Sequence, residues 1–318
     1  MTTRCFIISV AAGLLALLGC FTISAAPSAA EGQRFFHSGD GRIHLVSEKN
    51  GRVFDGAYWR AAGGYDPAAL EAIHRVFDAP YEPTAPTVSL RLIAFLDFLQ
   101  DRLQPGARLT LTSGYRSPAY NRNVRTRGGL AAKASLHQYG MAADIVLAGV
   151  SSERVWETVK ALGFGGAGYY HGRTVHLDVG PARSWDEKTS GVGTGLSDDN
   201  KLIELVTDYD IYQPGDPLTL RFIRMTAFPI GVVPVFFLEG RHEGRHAAKA
   251  IAFEPVFGVS SEDRCPQFED IGQMAGIRWR LPADLPPGRY AVRARFCGPV
   301  WEGMPSEAAT PAFEVAAP

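Results

Sequence analysis

The run Ser135-Leu136-His137-Gln138-Tyr139-Gly140-Met141-Ala142-Ala143-Asp144 offers an imidazole and a carboxylate, and a second imidazole follows in Val175-His176-Leu177-Asp178. Two imidazoles and one carboxylate are three ligands of the kind a catalytic zinc uses, with its fourth position left for water. Gly140 lets the chain turn between His137 and Asp144, so that both side chains can face one point. Asp144 opens the apolar run Ile145-Val146-Leu147, which reads as a strand. A strand carrying His176 can pair beside it and bring in the third ligand. Because side chains alternate along a strand, Asp178 shares the face of His176, where a second carboxylate can orient a ligand or accept a proton from water.

The elements around these residues mix helices with short strands. Arg42 to Asp55 alternates around Asn50-Gly51, a two-residue hairpin signal. Asp66-Pro67 reads as the cap and first residue of a helix with Leu70, Ile73 and Phe77 on one face. A second helix starts near Ser89, repeats Leu92, Leu96, Leu99 and Leu103, and stops at Pro105-Gly106. Leu109-Thr110-Leu111 is a strand running into the turn-rich Ser113-Gly114-Tyr115-Arg116-Ser117-Pro118. Ser151 caps a third helix that Gly163 ends; Phe164 to Gly168 reads as a Gly-rich loop, and Thr174 to Val179 as a strand. Residues 186–200 hold almost nothing to bury and read as a linker. Beyond it the helical period disappears: Leu218, Leu220 and Phe222, then Tyr290, Val292, Ala294 and Phe296, alternate in the manner of strands. Residues 201–318 are therefore expected to form an all-β, immunoglobulin-like sandwich.

The chain has 318 residues, enough for about two domains. Its 32 Lys plus Arg against 33 Asp plus Glu lack the basic excess of a protein that lives on a phosphate backbone, which argues against nucleic acid as partner. After residue 26 no apolar run is long enough for a transmembrane span in the mature chain. Arg4, the apolar stretch 6–18 and the small residues 24–30 make residues 1–30 a signal peptide, with cleavage just before Glu31. Leu17-Leu18-Gly19-Cys20 also resembles a lipobox, which would put a lipid anchor on Cys20. Either way the protein is exported, to the periplasm or cell envelope. Of four Cys, only Cys265 and Cys297 fall in the folded part, as a disulfide candidate in an oxidising compartment or as two buried thiols.

The pattern S-x-H-x-x-G-x-A-x-D, preceded by S-G-Y-R-S and followed by V-H-x-D-x-G-P, resembles peptidase family M15, most closely its murein endopeptidase K-like branch. The similarity runs from about Gly39 to Trp185, so that residues 31–185 are expected to be an α+β zinc-peptidase domain. The resemblance implies Zn2+ held by His137, Asp144 and His176 on a small antiparallel sheet flanked by helices. It also implies a peptidoglycan substrate and the activity of a murein endopeptidase or D,D-carboxypeptidase. Arg116 would then lie near a substrate carboxylate or the developing oxyanion, and Ser113, Tyr115 and Ser135 would hold the ligands in place by hydrogen bonds.

One departure concerns the base. The wider family carries an acid three positions before the last zinc histidine, where this chain has Arg173, whose guanidinium stays protonated. Asp178 is therefore the candidate base, with His171 a nearby group that titrates near neutrality. Tyr169 and Tyr170 read as wall or core residues. The rival reading is a non-catalytic envelope protein, a degenerate peptidase fold that binds cell-wall peptide. His242-Glu243-Gly244-Arg245-His246 matches H-E-x-x-H, but Gly240 and Gly244 disfavour the helix that motif needs, and the segment reads as a hairpin tip.

Overall fold

A computed structural model describes residues 34–60, 64–128, 131–191, 193–240, 250–258, 264–274, 276–298 and 301–317. The leader, with Cys20, and the H-E-x-x-H match at 242–246 lie outside the described residues. No helix among the described residues is long and apolar enough to cross a membrane.

Strands β1 (Arg42–Ser47) and β2 (Val53–Ala57) form the hairpin around Asn50-Gly51, with Gly51 at φ +69°. Helix α1 (Pro67–Val76) begins where the Asp66 carboxylate accepts from the amides of Ala68 and Ala69. Helix α2 (Leu90–Leu103) buries Leu92, Ile93, Leu96 and Leu99 completely. After β3 (Leu109–Ser113) comes a helix that the turn-rich reading missed, α3 (Pro118–Thr126). Ser117 caps it by accepting from the Tyr120 amide, and Pro118 fills its first position. A single 3-10 turn (Leu136–Tyr139) leads into β4 (Ala142–Leu147), and α4 (Ser152–Leu162) ends on Gly163 at φ +62°. Strands β5 (Gly166–Tyr169), β6 (Val175–Asp178) and β7 (Arg183–Asp186) complete this part.

Seven strands make one sheet in the order β2-β1-β3-β4-β6-β5-β7. The expected antiparallel sheet is in fact mixed, because β1 with β3 and β5 with β7 run parallel. Each parallel pair needs intervening chain to return to the same end, supplied by β2, α1 and α2 in one case and β6 in the other. Of the segment 164–168 expected to be a Gly-rich loop, residues 166–168 lie in the strand β5. Its glycines carry no side chain to alternate, which hid the strand. A Cβ on Gly166 would lie 2.2 Å from Asp178 Oδ2, and one on Gly168 2.6 Å from the Trp185 ring. Both positions therefore leave room over the sheet face for neighbouring strands' side chains.

Past a short turn (Glu187–Thr189), every further regular element is a strand: β8 (Glu204–Thr207), β9 (Ile211–Tyr212), β10 (Pro217–Ile223), β11 (Ile230–Val232), β12 (Phe236–Gly240) and β13 (Ile251–Phe253). These are followed by β14 (Gln267–Phe268), β15 (Ile277–Arg280), β16 (Gly288–Cys297), β17 (Glu307–Ala309) and β18 (Phe313–Val315). One sheet has the order β15-β10-β8; the larger is built around β16. Phe222 of β10 meets Phe236 of β12 and Phe296 of β16 at ring distances of 6.5 and 5.3 Å, so apolar faces of the two sheets share a core. A Cys265–Cys297 disulfide ties the chain before β14 to the end of β16.

Gly32–Pro318 forms one compact unit. Arg91 of α2 reaches Asp210 at 2.8 Å with both side chains at most 10% exposed, a buried ion pair between the first part and the β-rich part. Tyr139, two residues after His137, accepts at its hydroxyl from the Met225 amide (3.0 Å) and at its carbonyl from Arg221 Nη1 (3.2 Å). The turn that carries the first imidazole is thus pinned by the β-rich part.

Candidate metal centre

Strand register sets the site. Ser113, Asp144, His176, Gly168 and Trp185 are cross-strand partners in one row across β3, β4, β6, β5 and β7. Partners in a row point to the same face, so Asp144 and His176 emerge side by side. The next row on the same face joins Ala142, Asp178, Gly166 and Arg183. His137 comes from the 3-10 turn, which enters β4 through Gly140 at φ +62°. A Cβ at Gly140 would sit 1.9 Å from the Thr87 carbonyl oxygen, so glycine is required there both for its dihedral and for its bulk.

His137 Nδ1 lies 2.7 Å from the Gly114 carbonyl oxygen. A carbonyl only accepts, so Nδ1 carries the proton and the Nε2 lone pair faces Asp144 Oδ1 at 3.5 Å. His176 Nδ1 lies 2.9 Å from the same Asp144 oxygen, and its Nε2 lies 2.9 Å from Asp178 Oδ2. Donor atoms of His137, Asp144 and His176 all fall within 4.8 Å of one another, and all three residues are buried. Tetrahedral donors about 2.0–2.1 Å from a zinc ion stand about 3.3–3.4 Å apart, so the spacing fits a divalent cation of that size. The donor set fits as well: two imidazoles and one carboxylate suit zinc, and a buried carboxylate facing two imidazole nitrogens requires a shared cation, a proton or a metal.

Arg116 pairs with Asp144. Its Nη2 donates to Asp144 Oδ2 at 2.8 Å and its Nε to Ser113 Oγ at 3.0 Å, so the guanidinium fixes which carboxylate oxygen faces the imidazoles. Among the described residues Nη1 of Arg116 has no partner. Ser113 thus touches the cluster through Arg116. Tyr115 contributes only its amide, bonded to the Phe77 carbonyl, and the Ser135 hydroxyl bonds to none of the described site residues.

Asp178, the expected base, lies behind His176. Fully buried, it accepts from His176 Nε2, from the Gly180 amide at 3.0 Å and from both terminal nitrogens of Arg183, at 3.0 and 2.6 Å. Burial pushes its carboxyl up, but Arg183 and His176 outweigh that and hold it below the usual carboxylate range. A carboxylate so occupied orients an imidazole and stays ionised. Arg183, which the sequence reading passed over, also lies 5.1 Å over the Trp185 ring, and that ring sits 5.1 Å from the His176 ring.

The electrostatics follow from the same contacts. Burial raises Asp144, but the two imidazoles overcome it and hold the carboxyl far below its ordinary value. Burial lowers His137 more than Asp144 raises it. Burial also lowers His176, but its bonds to Asp144 and Asp178 prevail and raise it. Tyr170, read from the sequence as a wall residue, is a half-buried phenol that burial and the nearby Asp144 push well above its ordinary value, which keeps it a hydrogen-bond donor. Alternation was the available signal, since Tyr170 is two residues from Gly168, the cross-strand partner of His176. Tyr169 packs against Trp156 at 5.4 Å, and His171 is an exposed residue 3.7 Å from Asp186. Arg173 donates to both oxygens of Glu48, at 2.6 and 2.7 Å, on the surface.

Residues 38–185 match the family model for M15 peptidases described as peptidoglycan L,D-endopeptidase MepK. The peptidoglycan L,D-endopeptidase MepK of Escherichia coli (strain K12) is 38% identical over 144 residues, covering 45% of this chain and 76% of that protein. The same figures hold for its counterpart in Shigella flexneri. A probable peptidoglycan L,D-endopeptidase MepK of Haemophilus influenzae is 38% identical over 80 residues, 25% of this chain and 43% of that protein. The family match ends at Trp185, on the last strand of the mixed sheet.

Proposed function

The chain belongs to peptidase family M15, in its murein endopeptidase K-like branch, and from that premise we propose that it is a zinc-dependent peptidoglycan peptidase that hydrolyses peptide cross-links of the bacterial cell wall. The endopeptidase reading, on L,D bonds, takes precedence over D,D-carboxypeptidase action because the relatives carry the former name. The observation that carries it is the convergence of His137, Asp144 and His176 within 4.8 Å on one sheet face. The first thirty residues support export to the periplasm or envelope, and sequencing the mature N-terminus distinguishes cleavage before Glu31 from a lipidated Cys20.

His137 Nε2, Asp144 Oδ1 and His176 Nδ1 would hold zinc. When bound, such an ion supplies Lewis acidity toward a scissile carbonyl and acidifies water. The protein's own groups do the rest. Arg116 holds Asp144 through one nitrogen and keeps Nη1 for a developing oxyanion or a substrate carboxylate. The Tyr170 phenol, held protonated by burial and the nearby Asp144, would be free to donate to a bound substrate. Asp178 and Arg183 fix the tautomer and tilt of His176. Residues 201–318 we read as an immunoglobulin-like sandwich, supported by the shared aromatic core of its two sheets.

The non-catalytic reading draws on one observation: Asp178 is locked by Arg183, and Arg173 stands where the wider family has an acid. Cross-linked muropeptides incubated with the zinc-loaded protein, with and without chelator, separate the two. Product masses of cleaved dimers that disappear with chelator support the peptidase; intact dimers with the zinc-loaded protein support the binding protein.

A further inference from the structure

Away from the metal centre, three carboxylates meet where the chain enters β1. Asp97 and Asp101 stand one turn apart on α2, and Asp40 lies on the segment Gly39–Gly41 that crosses them. One oxygen from each of the three falls within 4.8 Å of the other two. Among the described residues their hydrogen bonds come only from backbone amides and the Tyr58 hydroxyl, and none of them pairs with a Lys, Arg or His. Like charges at this spacing repel. Exposed acids can leave that repulsion to water, but Asp97 is completely buried. Its Oδ2 accepts from the Gly41 amide at 2.9 Å and from the Tyr58 hydroxyl at 2.7 Å, whereas its Oδ1, shielded from solvent, has no partner among the described residues. That oxygen is aimed at Gly39. A Cβ there would sit 2.3 Å from Asp97 Oδ1 and 2.7 Å from Asp101 Oδ2, so both oxygens face one spot beneath the crossing main chain, and only glycine lets the backbone come so close. A buried carboxylate oxygen without a donor is costly unless a cation meets it.

We propose that Asp40, Asp97 and Asp101 bind a calcium ion that fastens the entry into β1 to α2. An all-oxygen donor set selects a hard cation over zinc. Calcium accepts an irregular set of oxygens completed by water on the exposed side of Asp40, whereas magnesium demands a near-ideal octahedron. The ion offsets most of the charge that the three carboxylates hold together. The same segment is already bonded to the β-rich part further back, where Arg34 Nη1 reaches Asp216 at 2.6 Å and the Phe36 amide donates to Asp210 Oδ2 at 3.2 Å. Calcium therefore completes a strap that runs from the β-rich part over α2 into the mixed sheet. With three carboxylates and the remaining ligands water, the affinity belongs with the weaker extracellular calcium sites, at a Kd of about 10⁻⁴ to 10⁻³ M. The inference stands apart from the peptidase reading, because none of its residues touches His137, Asp144 or His176.

The test titrates calcium chloride, and separately magnesium chloride, by calorimetry into protein stripped with EGTA at pH 7.5, and follows thermal unfolding with and without each ion. Wild type is compared with Asp97→Asn, Asp101→Asn and His137→Ala. Asparagine keeps an oxygen for the amides that these side chains accept from and removes one charge. Asp101 is only half-buried, so Asp101→Asn serves even if Asp97→Asn fails to fold. Wild type is expected to bind one calcium per chain and to unfold roughly 5 °C higher at a calcium concentration about 100-fold above Kd. Asp97→Asn and Asp101→Asn are expected to bind calcium at least roughly tenfold more weakly, His137→Ala to respond as wild type does, and magnesium to bind wild type roughly tenfold more weakly than calcium. No heat and no shift in wild type, or a wild-type response in Asp101→Asn and in folded Asp97→Asn, overturns the site. A calcium response lost in His137→Ala overturns it too, by moving the ion to the other cluster. Magnesium binding as tightly as calcium overturns the choice of ion.

Discussion

His176 Nδ1 stands 2.9 Å from Asp144 Oδ1, while the far side of the same ring stands 2.9 Å from Asp178 Oδ2. With the ring proton on Nε2, donated in a hydrogen bond to the ionised Asp178, the Nδ1 lone pair is aimed at the oxygen that His137 Nε2 also faces. Three lone-pair donors then converge with no proton between them, which is how a metal site is pre-formed. Asp178→Asn keeps the shape and loses the charge. Its expected effect is a loss of roughly 10- to 100-fold in zinc affinity, measured by competition with a chromophoric chelator. Unchanged affinity with an altered pH–rate profile would return Asp178 to the role of base.

Arg183 matters because the carboxylate it covers is completely buried. Removing one partner of such a pair leaves a charge without compensation. Arg183→Met is expected to destabilise the protein by about 3–5 kcal/mol in urea unfolding. A change below about 0.5 kcal/mol would mean that the pair behaves as an exposed one.

The hydroxyl of Tyr139 is the only described acceptor for the Met225 amide, and the same residue belongs to the turn that presents His137. Tyr139→Phe leaves that buried amide unsatisfied. A loss of about 1–3 kcal/mol is expected, together with weaker zinc binding, because the turn loses its brace. Stability lost with zinc affinity intact would show that the brace stops short of the site.

Asp97 supplies a pH dependence of opposite origin. Burial pushes its carboxyl up to about 7, against bonds from Tyr58 and the Gly41 amide that pull it down, and its Oδ1 has no partner among the described residues. Its ordinary value is 3.8, so between about pH 4 and pH 7 the folded state holds a proton that the unfolded state has released. Stability from this group is therefore full below about pH 4, falls as pH rises toward 7, and is level above. Asp97→Asn is expected to flatten this decline by roughly 2–4 kcal/mol across urea midpoints at pH 4.5, 6 and 7.5. Parallel curves for the two proteins would contradict it.

The convergence of His137, Asp144 and His176 was legible because each motif carries its own geometry: a glycine that must be left-handed between His137 and Asp144, and two-residue alternation between His176 and Asp178. Capped helices such as α1 and α4 were legible for the same local reason, a side-chain oxygen at one end and a fitted residue at the other. What escaped depended on neighbours far along the chain. β5 showed no period because Gly166 and Gly168 yield their space to Asp178 and Trp185. The Arg183 contacts to both oxygens of Asp178 come from a strand paired in parallel, which no local pattern announces. The parallel pairings themselves leave no local mark, since they are set by where intervening elements return the chain.

Metal stoichiometry is the most direct measurement: purified protein and its His137→Ala, Asp144→Asn and His176→Ala variants, each checked for folding by circular dichroism, are assayed by elemental mass spectrometry after zinc loading and desalting. One zinc per chain in the parent, with little or none in any variant, is the expected result. Zinc retained in all three variants, or absent from the folded parent, would contradict a shared ion at these side chains.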